Sequence, residues 1–143
     1  MNVTIPSPTL TLWALSLALE ARLAAALAPM GLSVAGFRLI GEVSAAPDGL
    51  RQSELAARLG VRPPTVSVAV KRLEELGLIT RVPDPKDPRA RLVRVNQEAN
   101  LGPGLDLIDA MDRELFAGLD AQGVQALNQS LAHLQARLSR SST

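Results

Sequence analysis

Residues 52–95 read QSELAARLGVRPPTVSVAVKRLEELGLITRVPDPKDPRARLVRV. The stretch predicts a helix, a tight turn, a second helix and a two-stranded hairpin with a charged tip. Leu55, Ala56 and Leu59 make an apolar set on the first helix. Gly60 follows, where a left-handed residue is wanted and only glycine enters without a Cβ penalty. The second helix opens at Pro63 and Pro64, since the N–H groups of a first turn lack intrahelical partners anyway. Val66, Ala69, Val70 and Leu73 then recur at helical spacing and predict one buried stripe.

The outer face of that second helix is the informative one. At about 100° per residue, Pro64, Val68, Lys71 and Glu75 point away from Val66, with Thr65, Ser67 and Arg72 beside them. Such a small, polar or cationic face suits a helix pressed into a DNA major groove. The competing reading is a solvated face carrying a Lys71–Glu75 pair. The preceding helix favours the first. Gln52, Ala56, Gly60 and Val66 supply a polar start, a small crossing residue, a turn glycine and a β-branched packer, with Leu55, Leu59 and Val61 on the inner face.

Leu78–Val82 and Leu92–Val95 are β-rich runs, and PDPKDPRAR lies between them. Its three prolines and two aspartates forbid helix and favour turns. Lys86, Arg89 and Arg91 make the tip positive. A rigid loop tipped with arginine can enter the DNA minor groove, where negative potential is focused. Asp87 is expected to hydrogen-bond Arg89 and hold its guanidinium. An exposed charged turn is the alternative.

These residues resemble the MarR family of winged helix-turn-helix regulators. Leu73, Glu74, Gly77, Leu78 and Arg81 match the family's Leu-Glu-x-x-Gly-Leu/Val-x-x-Arg run, and Asp84, Pro85, Asp87, Arg89 and Ala90 match its Asp-Pro-x-Asp-x-Arg-Ala wing. The likeness extends over the whole chain in layout and is sharp from about Leu55 to Val95. Three positions depart from it. Pro88 replaces a common arginine, which removes a wing charge and stiffens the tip. Val68 stands where an arginine or polar residue is frequent, so a base or phosphate contact is lost or replaced by apolar contact with a thymine methyl. Val95-Asn96-Gln97 replaces Leu-Thr, and Asn96 is expected to cap the following helix.

The chain has 143 residues, enough for one domain with a real core. Alanine and leucine dominate and aromatics are 2%, which favours a mostly helical fold over a sandwich or barrel. Cysteine is absent, excluding disulfides, thiol redox switches and thiolate metal sites. One histidine, His133, excludes an all-histidine metal site within one chain. The net charge of +1 is unevenly spread. Arg62–Arg94 holds eight Lys/Arg against four Asp/Glu, net +4; the remainder holds seven against ten, net −3. A basic reading segment on a mildly acidic body fits a DNA binder.

Residues 1–9 carry two prolines and no periodicity and read as a loose arm, with Thr9 capping a helix from about Leu10. Leu10–Leu19 is nearly all apolar. It is too short to span a bilayer, Glu20 and Arg22 follow it, and no Lys or Arg precedes it as in a signal peptide. A cytoplasmic protein is expected, with this helix buried on more than one side, most simply by a second chain. Pro29-Met30-Gly31 ends it. Ser33 caps the next helix, which runs to about Ala45 with Val34, Phe37, Ile40 and Val43 inward. Pro47-Asp48-Gly49 is a turn, and Leu50 begins a very short strand beside the hairpin. Gly102-Pro103-Gly104 delays or kinks the helix carrying Leu105, Ile108, Met111, Leu115 and Leu119. Asp120 caps a last helix whose Val124, Leu127, Leu131, Leu134 and Leu138 form a coiled-coil-like seam. Packing between subunits is favoured over packing on the first helix, and the resemblance strengthens this, since these proteins dimerise through both terminal regions.

The expected architecture is therefore mainly α with a small β-hairpin wing, a winged helix-turn-helix in a single domain 1–143. Residues 31–100 are its DNA-binding region, and 1–30 and 104–143 its dimerisation helices. Candidate DNA contacts are Arg62, Pro64, Thr65, Ser67, Val68, Lys71, Arg72, Lys86, Asp87, Arg89 and Arg91. No cofactor and no metal is expected, and the carboxylates Asp106, Asp109, Asp112 and Glu114 read as a solvating cluster rather than a catalytic one. The expected function is a homodimeric regulator of transcription on a pseudo-palindromic duplex operator. By the resemblance, most members repress, and their effectors are often small aromatic acids or other lipophilic compounds. Trp13, Met30, Phe37 and Arg38 are the candidate borders of an effector cavity, with Arg38 pairing an acidic ligand, although the scarcity of aromatics gives little support for a stacking pocket. The alternatives are a winged-helix protein-interaction module that binds no DNA, and a small hydrolase or isomerase, which lacks a catalytic constellation.

Overall fold

The computed structural model describes residues 7–141. Its contacts divide the chain into two compact units, Met1–Leu101 and Gly102–Thr143. The first contains α1 (Pro8–Leu27), a 3₁₀ turn (Ala28–Met30), α2 (Val34–Ser44), α3 (Gln52–Leu59), α4 (Pro63–Glu75) and the antiparallel strands β1 (Ile79–Asp84) and β2 (Asp87–Val95). The second contains α5 (Gly102–Leu115) and α6 (Ala121–Arg140).

The core of the first unit is the stripe expected from the sequence. Leu55, Ala56 and Leu59 of α3 and Val66, Ala69, Val70 and Leu73 of α4 are buried with Leu39, Ile40 and Val43 of α2 and Ile79 and Val93 of the hairpin. Full burial of one such side chain contributes about 1.5–3 kcal/mol, so this cluster fixes how α4 is carried. Inside α2, Ile40 and Val43 are buried as expected, while Val34 and Phe37 are only half-buried and Leu39 is fully buried beside Ile40. Ser33 caps α2 as expected, its Oγ accepting the Gly36 N–H at 3.0 Å. Gly60 closes α3 at φ 65°.

Leu50 pairs with Val93 through two backbone hydrogen bonds of 3.0 and 2.8 Å, the short third strand that was expected. Gly49 before it has φ 94°, and an added Cβ would lie 3.0 Å from the Leu92 Cβ. The hairpin itself is longer than the β-rich runs suggest. Pairing runs from Ile79↔Val95 to Pro83↔Arg91 and then shifts to Asp84↔Asp87. Most of PDPKDPRAR is strand, and the turn is only Pro85-Lys86. A two-stranded ribbon has free outer edges, so Pro83 and Pro88 need not donate to a ladder.

Other expectations are corrected near the helix ends. Pro8 and Thr9 are helical rather than part of a loose arm, and the cap position of α1 is Ser7, not Thr9; residues 1–6 lie outside the described residues. Asn96 caps no helix. Its Nδ2 donates to the Gly77 carbonyl at 2.8 Å, and its Oδ1 accepts the Glu98 N–H at 3.2 Å, shaping a turn before the late start of α5. Asp120 caps α6 as expected, accepting the Gly123 N–H at 2.7 Å.

The terminal helices keep much apolar surface outside the core. Only Leu27 of α1 is buried; Leu10, Trp13, Leu15 and Leu17 are more than half exposed. The rest of the first unit does not bury α1 on more than one side, because its apolar residues surround the helix and only its end reaches the core. The helix is also longer than its apolar run. Pro8–Met30 spans 23 residues at mean hydropathy 1.5, long and apolar enough by length and composition to cross a membrane, which corrects the length argument made from Leu10–Leu19. In the second unit Met111 is buried, whereas Leu105, Leu115 and Leu119, and Leu131, Leu134 and Leu138 of the α6 seam, are exposed.

Candidate nucleic-acid interface

The core stripe of α4 turns its other side outward. Pro64, Thr65, Ser67, Val68, Lys71 and Arg72 are all exposed, as is Arg62 before the helix. Arg62 holds extended dihedrals at the cap position (φ −72°, ψ 148°), and Pro63 starts the helix without leaving an N–H unpaired. Val68 is 71% exposed. The inner residues of α3 lock this presentation, and Ser67 Oγ donates to Gln52 Oε1 at 3.4 Å across the two helices.

The cations of the reading segment fall into two groups. Arg72, Arg81 and Arg94 are engaged within the protein. Arg72 Nε donates to the Gly31 carbonyl at 3.3 Å and its Nη1 lies 3.7 Å from Glu75. Arg81 Nε donates to Glu74 at 2.8 Å, and Arg94 Nε to the Asp48 carbonyl at 3.0 Å. Arg62, Lys71, Lys86, Arg89 and Arg91 make no ion pair among the described residues, and all are exposed. The Lys71–Glu75 pair weighed from the sequence is replaced by Arg72–Glu75.

The wing is organised by a residue that periodicity did not single out. Arg51, just before α3, donates through Nε and Nη2 to Asp84 Oδ2 at 2.9 and 2.6 Å. Asp84 is the one buried charged residue among those described, 7% exposed, and its Oδ1 accepts the Lys86 N–H at 2.9 Å. The Lys86 N–H and then the Arg51 guanidinium hold its carboxyl below the usual aspartate value, and Asp84 in turn holds Arg51 more firmly protonated. Asp87 lies 3.9 Å from Arg51 and accepts the backbone N–H of Arg89 at 3.0 Å. That corrects the expectation that it holds the Arg89 guanidinium: it orders the turn and leaves that side chain to solvent. The available signal for Arg51 was local. Arginine occupies a helix N-cap slot where Ser, Thr, Asp or Asn is preferred.

The four candidate effector residues lie outside two open grooves of the first unit. Trp13, Met30 and Arg38 are exposed and Phe37 is half-buried. None of them lines the open groove of 560 Å³ between Gly31, Ser33 and Ala35 and the outer face of α4, nor the 670 Å³ groove between Glu74, Arg81, Arg91 and Asn96. Asp106, Asp109, Asp112 and Glu114 are exposed along α5.

Comparison with known proteins agrees with this geometry. The family model described as MarR family matches residues 30–90, which contain α2 to α4 and most of the wing. A MarR-family transcriptional regulator from Rhodococcus sp. RHA1 is 25% identical, covers 87% of this chain and 89% of its own, and has a TM-score of 0.74. CouR from Rhodococcus jostii RHA1, solved bound to p-coumaroyl-CoA, is 25% identical over 87% of this chain and 88% of its own, with a TM-score of 0.72. MarR from E. coli, solved as a cysteine-to-serine mutant, shares the fold at 21% identity, covering 92% of this chain and 98% of its own, with a TM-score of 0.76. The fold is that of MarR-family transcriptional regulators, and residues 30–90, the reading helices and most of the wing, match the MarR family model.

Proposed function

We propose that the protein is a cytoplasmic, homodimeric transcriptional repressor that binds a pseudo-palindromic operator and is released by a small ligand. The observation that carries the DNA-binding reading is the set Arg62, Lys71, Lys86, Arg89 and Arg91. These are five exposed cations without ion pairs among the described residues, on the outer face of α4, just before it, and on the wing. In a dimer two copies of α4 would enter successive major grooves about one helical turn apart. The wings would follow the flanking minor grooves, where arginine is favoured.

Binding to phosphates releases counterions, and affinity then falls with salt at about −0.9 per phosphate contact. Ten contacts in a dimer would give a slope of about −9. The test is titration of duplex DNA over a range of salt, after selection of bound sequences from a random pool. A salt-independent affinity, or no enriched sequence, would contradict the reading and favour a protein-contact module.

Dimerisation is proposed through α1 and α6, whose exposed leucines need a cover. A second copy serves better than a bilayer, because the E. coli MarR fold matches 92% of this chain, a share that cannot be reached without α1. The effector is proposed as a small lipophilic or aromatic acid. CouR was solved with an aromatic acyl thioester, and Arg38 on α2 is exposed and available to an acid. Trp13, Met30, Phe37 and Arg38 are proposed to border that site in the dimer. A ligand acts only by the difference in its affinity for the DNA-competent and incompetent arrangements. Titration with aromatic carboxylates, read by Trp13 fluorescence and by DNA affinity, tests this; silence in both readouts would remove the effector class.

A further inference from the structure

Resting on the DNA-reading role proposed for α4, we infer that Val68 recognises the C5-methyl group of a thymine in each half-site, and that this apolar contact sets the specificity of the reading helix.

Direct readout of bases by bidentate hydrogen bonding uses a short list of side chains: Arg or Lys for guanine and Asn or Gln for adenine. Asp or Glu accepts from cytosine, while the single hydroxyl of Ser or Thr fits more than one base and discriminates little. Residues 63–72 contain no Asn, Gln, Asp or Glu. Arg72 is drawn back to the Gly31 carbonyl and Glu75, and its guanidinium fills the space beside Gly31, where an added Cβ would lie 2.8 Å from Nη2. Ser67 is directed to Gln52. What remains on the open face is Pro64, Thr65, Val68 and Lys71. Lys71 is one flexible point charge without the planar fork that reads guanine bidentately.

Val68 stands out on that face. From Gly31 to Leu101 it is the only exposed large hydrophobic residue among those described; every other large apolar side chain there is at least partly withdrawn. It does not serve the helix, since valine is a poorer helix former than alanine or lysine. A β-branched side chain has one strongly preferred χ1 rotamer in a helix, so its methyls are held in place before binding. Pro64 lies one turn before Val68 and carries no long chain. Close approach of this part of α4 to the groove floor is therefore open, and the group there that an isolated methyl pair can recognise is the thymine methyl.

The experiment removes that methyl from the DNA. An operator is first selected from a random duplex pool with the wild-type protein. Each thymidine is then replaced in turn by deoxyuridine, which deletes only the C5-methyl, and affinity is followed by anisotropy. One replacement in each half-site is expected to weaken wild-type binding roughly fourfold per half-site, about fifteenfold for both. Val68→Ala should bind the thymidine operator as weakly as wild type binds the deoxyuridine one, and show no further loss on replacement. Val68→Thr keeps a methyl and should keep the sensitivity. Unchanged melting curves for both variants are expected, since the side chain is exposed. Indifference of wild type to every replacement overturns the inference, and so does an equal loss in wild type and Val68→Ala. A pool in which wild type enriches no sequence overturns the DNA-reading role itself.

Discussion

Arg51 and Asp84 tie the start of the helix-turn-helix to the far end of the wing. Two nitrogens of one guanidinium converge on a single buried carboxylate oxygen, at 2.9 and 2.6 Å, across 33 residues of sequence. The second oxygen of Asp84 takes the Lys86 N–H at the turn. One side chain thus shapes the tip and anchors it to α3. Asp84→Asn keeps the size but loses the charge, and Arg51→Ala leaves the buried carboxylate without its cation. Both variants should loosen the tip while α4 stays packed. Hydrogen exchange checks this: amides of 84–90 should exchange faster in both, and those of Val66, Val70 and Leu73 should not. Equal acceleration in α4 would mean that the pair stabilises the whole domain rather than the wing.

The same carboxylate gives a pH dependence of known sign. Its folded pKa is lowered from 3.8, by the Lys86 N–H first and the Arg51 guanidinium second. A lowered value means that the folded state favours the charged form. The contribution is present in full above the unfolded value and is lost as the pH falls below it through the folded one. Wild type and Asp84→Asn should therefore converge in melting temperature as the pH drops below about 4 and differ by a constant amount near neutrality. A gap that widens on acidification would refute the assignment.

Two glycines separate backbone strain from crowding. Gly60 has φ 65° and nothing within 4 Å of a built Cβ, so Gly60→Ala carries only the left-handed conformational cost, about 1–2 kcal/mol. Gly49 has φ 94° and would place its Cβ 3.0 Å from Leu92 and Arg94 and 3.1 Å from the Val93 carbonyl. Gly49→Ala should add an overpacking cost of about 1–3 kcal/mol. Urea unfolding of the two variants gives the order directly, and Gly60→Ala as the less stable of the two would contradict it.

How far the sequence revealed this follows from the range of each interaction. The α3 and α4 stripes were legible because Leu55, Leu59, Val66, Val70 and Leu73 repeat at helical spacing, and all five are buried. The MarR-type wing motif was legible as a string, but its geometry was not. Prolines at 83, 85 and 88 suggest a loop, whereas an edge ribbon tolerates them and extends to the tip. Arg51–Asp84 and Arg72–Gly31 join residues 33 and 41 apart, beyond any local pattern. Arg72 read as a DNA contact from its place on the exposed helix face, and no local pattern showed its hydrogen bond to the Gly31 carbonyl. Helix α1 was unreadable in another sense: leucine and alanine on every side mark no buried face.

Arg89 tests the wing without disturbing it. Its backbone N–H is held by Asp87, while its side chain is exposed and makes no ion pair among the described residues. Arg89→Ala should change folding stability by no more than about 0.5 kcal/mol. DNA binding should weaken by about 1–3 kcal/mol where the guanidinium reaches a base edge, most on operators with A·T-rich flanks. Unchanged affinity across several flanking sequences would remove Arg89 from the minor groove.

Leu131 tests assembly, because its environment in one chain and in a dimer differ in sign. Within the chain it is 42% exposed, in the middle of a seam whose neighbours Leu134 and Leu138 are 39% and 72% exposed. An aspartate there would meet water in a monomer and alter stability by about 0.5 kcal/mol or less. In a dimer closed over this seam the same aspartate is buried without a partner, at a cost of several kcal/mol. Sedimentation of wild type at micromolar concentration should give a dimer, and Leu131→Asp a monomer or an aggregating protein. The monomer should lose most specific DNA affinity, since one half-site offers about half the contacts and no fixed spacing. If wild type sediments as a monomer and still binds a two-half-site operator tightly, the exposed seam has another purpose and the dimer mechanism fails.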